Sequence, residues 1–399
     1  SMTEATAPRE VWITGIELIS SLGIDAETHK THFETGTGRV LDESRYAPYP
    51  VHPLAPLEWS KQIPKNSDQR QMETWQRIGV YAAGLALADA GIAGNAELLD
   101  RTNLVVAAGS GERDTKVDCD VLEAIHSDDE TALLAKSVLP SALRPTLFLA
   151  QLSNMLAGNI SIVHHVTGSS RTFMGEESGA FAAAENAFRR ISSGQADVIL
   201  IGGALNAERE DLLLGYEIGH NLWRGPFKPA QERSGQDGGG FIPGSVGAFL
   251  TIESRAHAEA RGAKAYARIA DIRTDYTARK QGDIARSLTQ LFETFLPRIP
   301  AGRLPVWAGS SGVDPSTTED LAFFDLLPAY DIAPDVRVYG DDLGYSVEAH
   351  FFAGLALAAL TTDGKGERKS RNPGAAKNAL VTGTGYWRGE ALALIEAIG

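Results

Sequence analysis

Cysteine is almost missing from this chain: Cys119 is the only one in 399 residues. A single thiol cannot close an internal disulfide, which excludes a stapled secreted scaffold and makes a reducing cytoplasm the expected compartment. It sits in Val117-Asp118-Cys119-Asp120, between two carboxylates that raise a thiol's pKa and make thiolate scarce at neutral pH. Cys119 is therefore expected to be structural rather than reactive. Positive charge is also in short supply. Lys and Arg number 37 against 51 Asp and Glu, and the net charge of −14 argues against nucleic acid or an anionic membrane as partner. No apolar run reaches the length of a membrane span, and no signal peptide precedes Val11 (Ser1-Met2 reads as a vector remnant). The 9 histidines include no His-x-x-x-His beside an acid, so no metal is expected, and the pair His164-His165 is read as structural. No Gly-Lys-Ser/Thr follows a glycine cluster, which removes a phosphate loop, and no cofactor is expected.

What is present is 43% hydrophobic sequence with 41 scattered glycines, the composition of a soluble globular α/β protein. Short apolar strands are expected at Val11–Ile16, Asn103–Gly109, Asp197–Ile201, Ala248–Glu253, Pro305–Ala308 and Ala379–Thr382. Helices are expected near residues 26–35, over Trp75–Gly91, through the acidic stretch 114–136, and over Pro140–Ala157. Thr361–Lys377, rich in charge, Gly and Pro, reads as a surface loop. The most informative segment is residues 168–203, a strand–turn–helix–strand unit. Phe181, Ala184, Phe188 and Ile191 recur at helical spacing, small residues fill the helix start, and Glu176-Glu177 stand at its N-terminus. Backbone N–H groups at such a turn stabilise an anion. Two readings stay open: an acidic helix start in solvent, or a placed carboxylate paired with a base such as Arg388 or Arg171.

This unit resembles the β-ketoacyl-(acyl carrier protein) synthases. Gly168 opens it, Gly194-Gln195-Ala196-Asp197-Val198 match a later strand motif, and Gly202-Gly203 close it. The longest match is Arg224-Gly225-Pro226-Phe227 through Gly240-Phe241-Ile242-Pro243-Gly244 to His257-Ala258, Arg261-Gly262-Ala263 and Tyr266-Ala267, with Ser245 where the family has a Glu. The resemblance implies a thiolase-like α/β fold. Two similar βαβαββ halves, residues 8–252 and 253–399, would form a layered α-β-α-β-α sandwich.

It also implies a Cys-His-His site, and here the chain departs. Counting nine residues forward from Gly168, or seventeen back from Gly194, reaches the family's cysteine position, which is Glu177; a one-residue slip reaches Glu176 instead. The first histidine motif corresponds to Ala308-Gly309-Ser310-Ser311, with Glu319 or Asp320 as its later acid, and the lysine and second histidine to Gly340 and Tyr345. Tyr345 donates a hydrogen bond but, with a pKa near ~10, replaces imidazole poorly. Small family residues become Glu348, Ala349, His350 and Phe351, and the C-terminal glycine turn becomes Thr384-Gly385-Tyr386-Trp387-Arg388. The expected pocket or gate residues are thus Glu176, Glu177, Ser178, Tyr345, His350, Tyr386, Trp387 and Arg388, in a pocket both disarmed and filled.

A synthase frame without its catalytic residues resembles the chain-length factors. The expectation is a non-catalytic subunit of fatty-acid or polyketide synthesis, shaping the acyl tunnel of an active synthase in a heterodimer. Acyl carrier protein is the further partner; carrier proteins are usually acidic, so docking one on a −14 chain calls for a basic patch or the second subunit. Two alternatives stand beside this. One is altered chemistry at Glu177, malonyl decarboxylation or thioester hydrolysis, for which no histidine partner is evident in the sequence. The other is a homodimeric binder of acyl chains or carrier protein.

Overall fold

The computed structural model describes residues 7–36, 38–109, 155–362 and 376–398. Five strands come first: β1 (Val11–Ile19), β2 (Asn103–Ala107), β3 (Ser170–Phe173), β4 (Val198–Leu205) and β5 (Val246–Ser254). Five more follow: β6 (Ala267–Asp275), β7 (Gly302–Ala308), β8 (Ile332–Val338), β9 (Asn378–Thr384) and β10 (Glu390–Glu396). The longer helices are α1 (Ala26–Thr35), α2 (Thr74–Asp89), α3 (Met155–His164), α4 (Glu176–Ser192), α5 (Glu210–Ile218), α6 (Asp283–Glu293), α7 (Ser316–Leu326) and α8 (His350–Thr361).

The strands lie in the order β3-β2-β4-β5-β1-β6-β10-β9-β7-β8. Both sets of five follow one plan. The first strand pairs antiparallel with the fifth, the fifth antiparallel with the fourth, the fourth parallel with the second, and the second parallel with the third. Between the sets, β1 and β6 share only the pairs from Val11–Ile13 to Ala267–Ile269. This is a thiolase-like arrangement. Helices α4 and α8 pack on each other and on strands of both sets, while α2 and α3 cover the outer face of the first and α6 the outer face of the second. The apolar residues divide accordingly into a central core holding Phe181 and Phe351, and an outer core on each side. β4, β5 and β10 are buried along their whole length, which is why they read as nearly continuous apolar runs rather than alternating ones.

Local chemistry explains the helices that frame the site. α8, HFFAGLALAALT, is apolar all round because it is enclosed all round, and its buried residues run from His350 to Leu360. α4 keeps Ala180, Ala183, Ala184 and Ala187 inside, so that α8 and the strands approach closely, and Phe181 meets Phe351 edge-on at 5.1 Å. β1 runs on to Ile19, past the expected end at Ile16, and Glu17 there accepts a hydrogen bond from the Ala26 N–H at the start of α1 (2.8 Å). Thr361 ends α8 rather than opening a loop. Cys119, the helix at 114–136, most of Pro140–Ala157 and most of the Thr361–Lys377 loop lie outside the described residues.

The His257 and Arg261 motif has a structural task. Both side chains converge on Glu253, which is fully buried: His257 Nδ1 lies 2.6 Å and Arg261 Nε 3.0 Å from Oε2, and Thr14 donates to Oε1. Burial alone would raise this carboxyl, yet the bonds from His257, Arg261 and Thr14 win and hold it at about 2. A depressed acid stabilises the fold above its unfolded pKa, and that contribution is lost as pH falls through about 2. Glu253→Gln is therefore expected to cost about 3 kcal/mol in urea unfolding at pH 7, with a difference that shrinks below pH ~4.5. An unchanged midpoint at pH 7 would refute the clamp.

Candidate functional site

The turn from β3 into α4 places the two glutamates differently. Gly175 has φ 118°, and Glu176 itself has φ 59°, a left-handed conformation that costs a non-glycine residue on the order of 1 kcal/mol or more. The Ser178 hydroxyl braces the turn by donating to the Gly175 carbonyl (2.6 Å). This geometry sends Glu176 outward into a pocket of ≈420 Å³ and Glu177 inward, where it is 2% exposed. Glu177 is thus a placed carboxyl, not a solvated one. Neither glutamate is held by a cation among the described residues. Glu177 Oε1 accepts the Tyr386 backbone N–H (3.0 Å), and Glu176 Oε2 accepts the Trp387 indole N–H (3.1 Å). Arg171 is exposed on β3, and Arg388 lies over the Trp387 ring at 4.2 Å, its guanidinium passing close to Gly175.

Glu177, Gly309, Tyr345 and His350 surround a small cavity of ≈10 Å³, together with Phe181, Tyr339 and Thr384. That is room for about one water molecule. His350 takes up much of the space around it. Its ring stacks on Tyr339 (4.4 Å) and meets Tyr345 edge-on (4.6 Å). A Cβ added at Gly309 would lie 3.6 Å from His350 Cδ2, and one at Gly340 would lie 3.1 Å from Cε1. The imidazole therefore crowds position 340, while at 309 the Thr382 carbonyl (2.6 Å) and the Tyr339 hydroxyl (3.3 Å) lie nearer to an added Cβ. Trp387, expected to help fill the pocket, instead stands 48% exposed at its rim; the filling is done by His350 and Tyr345, and the outer pocket stays open.

Among the described residues, three polar atoms of the side chains lining this cavity have no hydrogen-bond partner: Glu177 Oε2, Tyr345 Oη and His350 Nε2. His350 Nδ1 accepts the Ser346 N–H (3.2 Å). Burial, reinforced by Glu176 and by Glu348, pushes Glu177 well above the ordinary carboxylate range, while burial lowers His350 to about 3. His350 is therefore neutral at pH 7. Asp320 is the acid that follows the first histidine motif; it is buried, pushed up to about 7, and accepts hydrogen bonds from Ser310 (2.8 Å) and Thr384, tying the ends of β7 and β9.

The outer pocket was not legible as a unit. It draws Trp75 from α2, Gly109 after β2, Arg209, Asp211 and Tyr216 from around α5, and Glu348 from the turn before α8. No motif links these positions, and only Glu348 stood out, as an acid where the family keeps a small residue. Among the described residues no three His, Cys, Asp or Glu side chains converge as a metal site, and no helix is long and apolar enough to cross a membrane.

Comparison with known proteins agrees with this frame. The family described as "Beta-ketoacyl synthase, N-terminal domain" matches residues 57–258, about half of the chain. 3-Oxoacyl-[acyl-carrier-protein] synthase 2 of Vibrio harveyi is 26% identical over 268 residues, 65% of this chain and 61% of the relative. The synthase 2 of Rhizobium meliloti is 26% identical over 278 residues, 65% and 63% of the two chains. The match thus spans less than two thirds of these relatives' length. Among solved structures, one described as the ishigamide ketosynthase/chain length factor superposes with a TM-score of 0.75 at 19% identity, covering 98% of this chain and 100% of that one. A type II polyketide synthase acyl-carrier protein in complex with its ketosynthase gives 0.71 at 17%, covering 98% and 100%. At such identities the likeness is one of fold. The strand plan, the turn into α4 and the matched N-terminal domain together make this chain a member of the β-ketoacyl synthase family.

Proposed function

We propose that this protein is a catalytically silent synthase subunit of fatty-acid or polyketide synthesis, acting like a chain-length factor beside an active β-ketoacyl synthase. The observation that carries the reading is how little room, ≈10 Å³, is left among the buried Glu177, Tyr345 and His350 beside Gly309. Decarboxylative condensation needs a thiolate, an oxyanion site and neutral imidazoles at one accessible point. Here the corresponding positions hold a buried acid, a glycine and a phenol, and His350 occupies the space beside them. The family membership and the fold likeness to a ketosynthase/chain length factor support the partner class.

The test mixes the pure chain with a synthase that has an intact Cys-His-His set, and with acyl and malonyl carrier protein. Alone, the chain is expected to extend nothing; with the partner it is expected to form heterodimers by native mass spectrometry and to change product length. Extension by the chain alone overturns the reading, as does persistence of separate homodimers. One observation favours a second reading, thioester hydrolysis or malonyl decarboxylation: His350 Nε2 and Glu177 Oε2 are both unpartnered at the same cavity. That reading requires turnover by the chain alone that disappears in Glu177→Gln.

A further inference from the structure

The outer pocket has a chemistry of its own. Its volume, ≈420 Å³, is that of a small-molecule site. Glu348 lines it and is 4% exposed, and among the described residues no group other than its own backbone N–H hydrogen-bonds to its carboxyl. The carboxyl is aimed into the pocket beside Gly109, where an added Cβ would lie 2.7 Å from Oε1. Glu176 faces the same space, and aromatic rings of Trp75, Tyr216 and Tyr386 wall it, the two tyrosines edge-on at 5.7 Å.

The cations present are already engaged. Arg209 is bound to Asp211 through two bonds of 3.1 and 2.6 Å, and Arg388 lies over Trp387 at the rim. Counting charges around the wall, Asp211, Glu176 and Glu348 face Arg209 and Arg388, so full ionisation leaves one negative charge over. Burial and Glu176 resolve this by holding Glu348 protonated, at about 8. A ligand carrying one positive charge resolves it better, since it restores the carboxylate and offers a charge-assisted hydrogen bond. Aromatic walls add to that preference through their negative ring faces.

We propose that this pocket binds an organic ammonium group, seated between the Glu348 and Glu176 carboxyls against the aromatic wall. A neutral hydroxyl of the same reach brings no charge to hold Glu348 ionised, forgoes the charge-assisted bond and binds more weakly. Ammonium binding here is separate from catalytic silence: it is read by binding alone and holds whether or not the chain condenses acyl groups.

Isothermal titration at pH 8 with n-hexylammonium and with 1-hexanol tests it on the unmodified chain. Hexylammonium is expected to bind at least tenfold more tightly than hexanol, and Glu348→Gln, nearly isosteric, to lose at least tenfold of the hexylammonium affinity with an unchanged circular dichroism spectrum. Equal affinity for amine and alcohol overturns the proposal, as does hexylammonium binding that Glu348→Gln leaves intact. Absence of any hexylammonium binding at 10 mM overturns it too. If Glu348→Gln fails to fold, the amine-to-alcohol ratio on the parent chain decides alone.

Discussion

Raising the pH from 6.5 to 8 is expected to destabilise this protein by about 3 kcal/mol, most of it from Glu348 and the rest from Asp320. Two opposed sets of buried groups produce it. Burial raises Glu348 to about 8, Asp320 to about 7, and Glu177 well above its ordinary value. Burial lowers His29 to about 4, and His52 and His350 to about 3. A carboxyl that keeps its proton only when folded loses stability as pH climbs past its unfolded pKa, about 1.4 kcal/mol per unit, until the folded pKa is reached. A histidine kept neutral when folded does the reverse, losing stability as pH falls below ~6.5. Between pH ~4.5 and ~6.5 the raised acids, Glu176 and Asp341 among them, and the lowered histidines, His164 among them, oppose each other, and stability changes less steeply. Above ~6.5 the acids act alone; below ~4.5 the histidines and the depressed Glu253 act together. Urea unfolding at 25 °C across this range measures the profile. Glu348→Gln removes one proton from the alkaline limb and is expected to recover about 2 kcal/mol of the loss between pH 6.5 and 8. A stability that holds level or rises over that interval would show that these acids ionise in the fold.

The same buried acids mark the limit of what the chain discloses as a string of residues. Strand and helix positions were legible because their physics is local. The alternation of short apolar runs with helical spacings at Phe181, Ala184 and Phe188 is imposed by burial of each element on its neighbours. Position 177 was legible too, since two counts from glycines converge on it. What could not be read was orientation. Glu176 and Glu177 are adjacent and chemically identical, yet a left-handed φ at one turns the first into the outer pocket and the second into the core. Nor could the sequence pair Glu177 with His350, 173 positions away, because that meeting depends on α4 and α8 being packed together in the central layer. The expectation that no histidine partners Glu177 thus gives way to a structure with His350 at the same cavity. The bulk expected from Trp387 comes from His350 instead, ten residues beyond the glycine at 340 whose space it takes.

Restoring the missing sulfur is expected to restore nothing. In a Cys119→Ser background, Glu177→Cys places one thiol where the carboxyl now lies, behind the Tyr386 backbone and beneath His350. Reagents reach such a thiol only when the fold opens, so alkylation by iodoacetamide is expected to run at least roughly a hundredfold slower than in the unfolded chain. Trimming the plug with His350→Ala removes the ring packed against Gly340 at the same cavity, and the labelling rate is expected to rise at least about tenfold. Condensation should stay silent in both variants. A loaded thioester would still meet a glycine at 309 and a phenol at 345, and each lost donor to a developing oxyanion costs on the order of a hundredfold or more in rate. Radiolabelled malonyl carrier protein with an acyl primer measures that silence directly. Fast native labelling of the Glu177→Cys protein would mean that the cavity is accessible, and malonyl-dependent extension by it would mean that the glutamate was the sole obstacle to chemistry. If instead labelling follows the plug while extension stays absent, access and catalysis were lost through separate residues: His350 closes the door, and positions 309 and 345 leave nothing behind it to polarise a carbonyl.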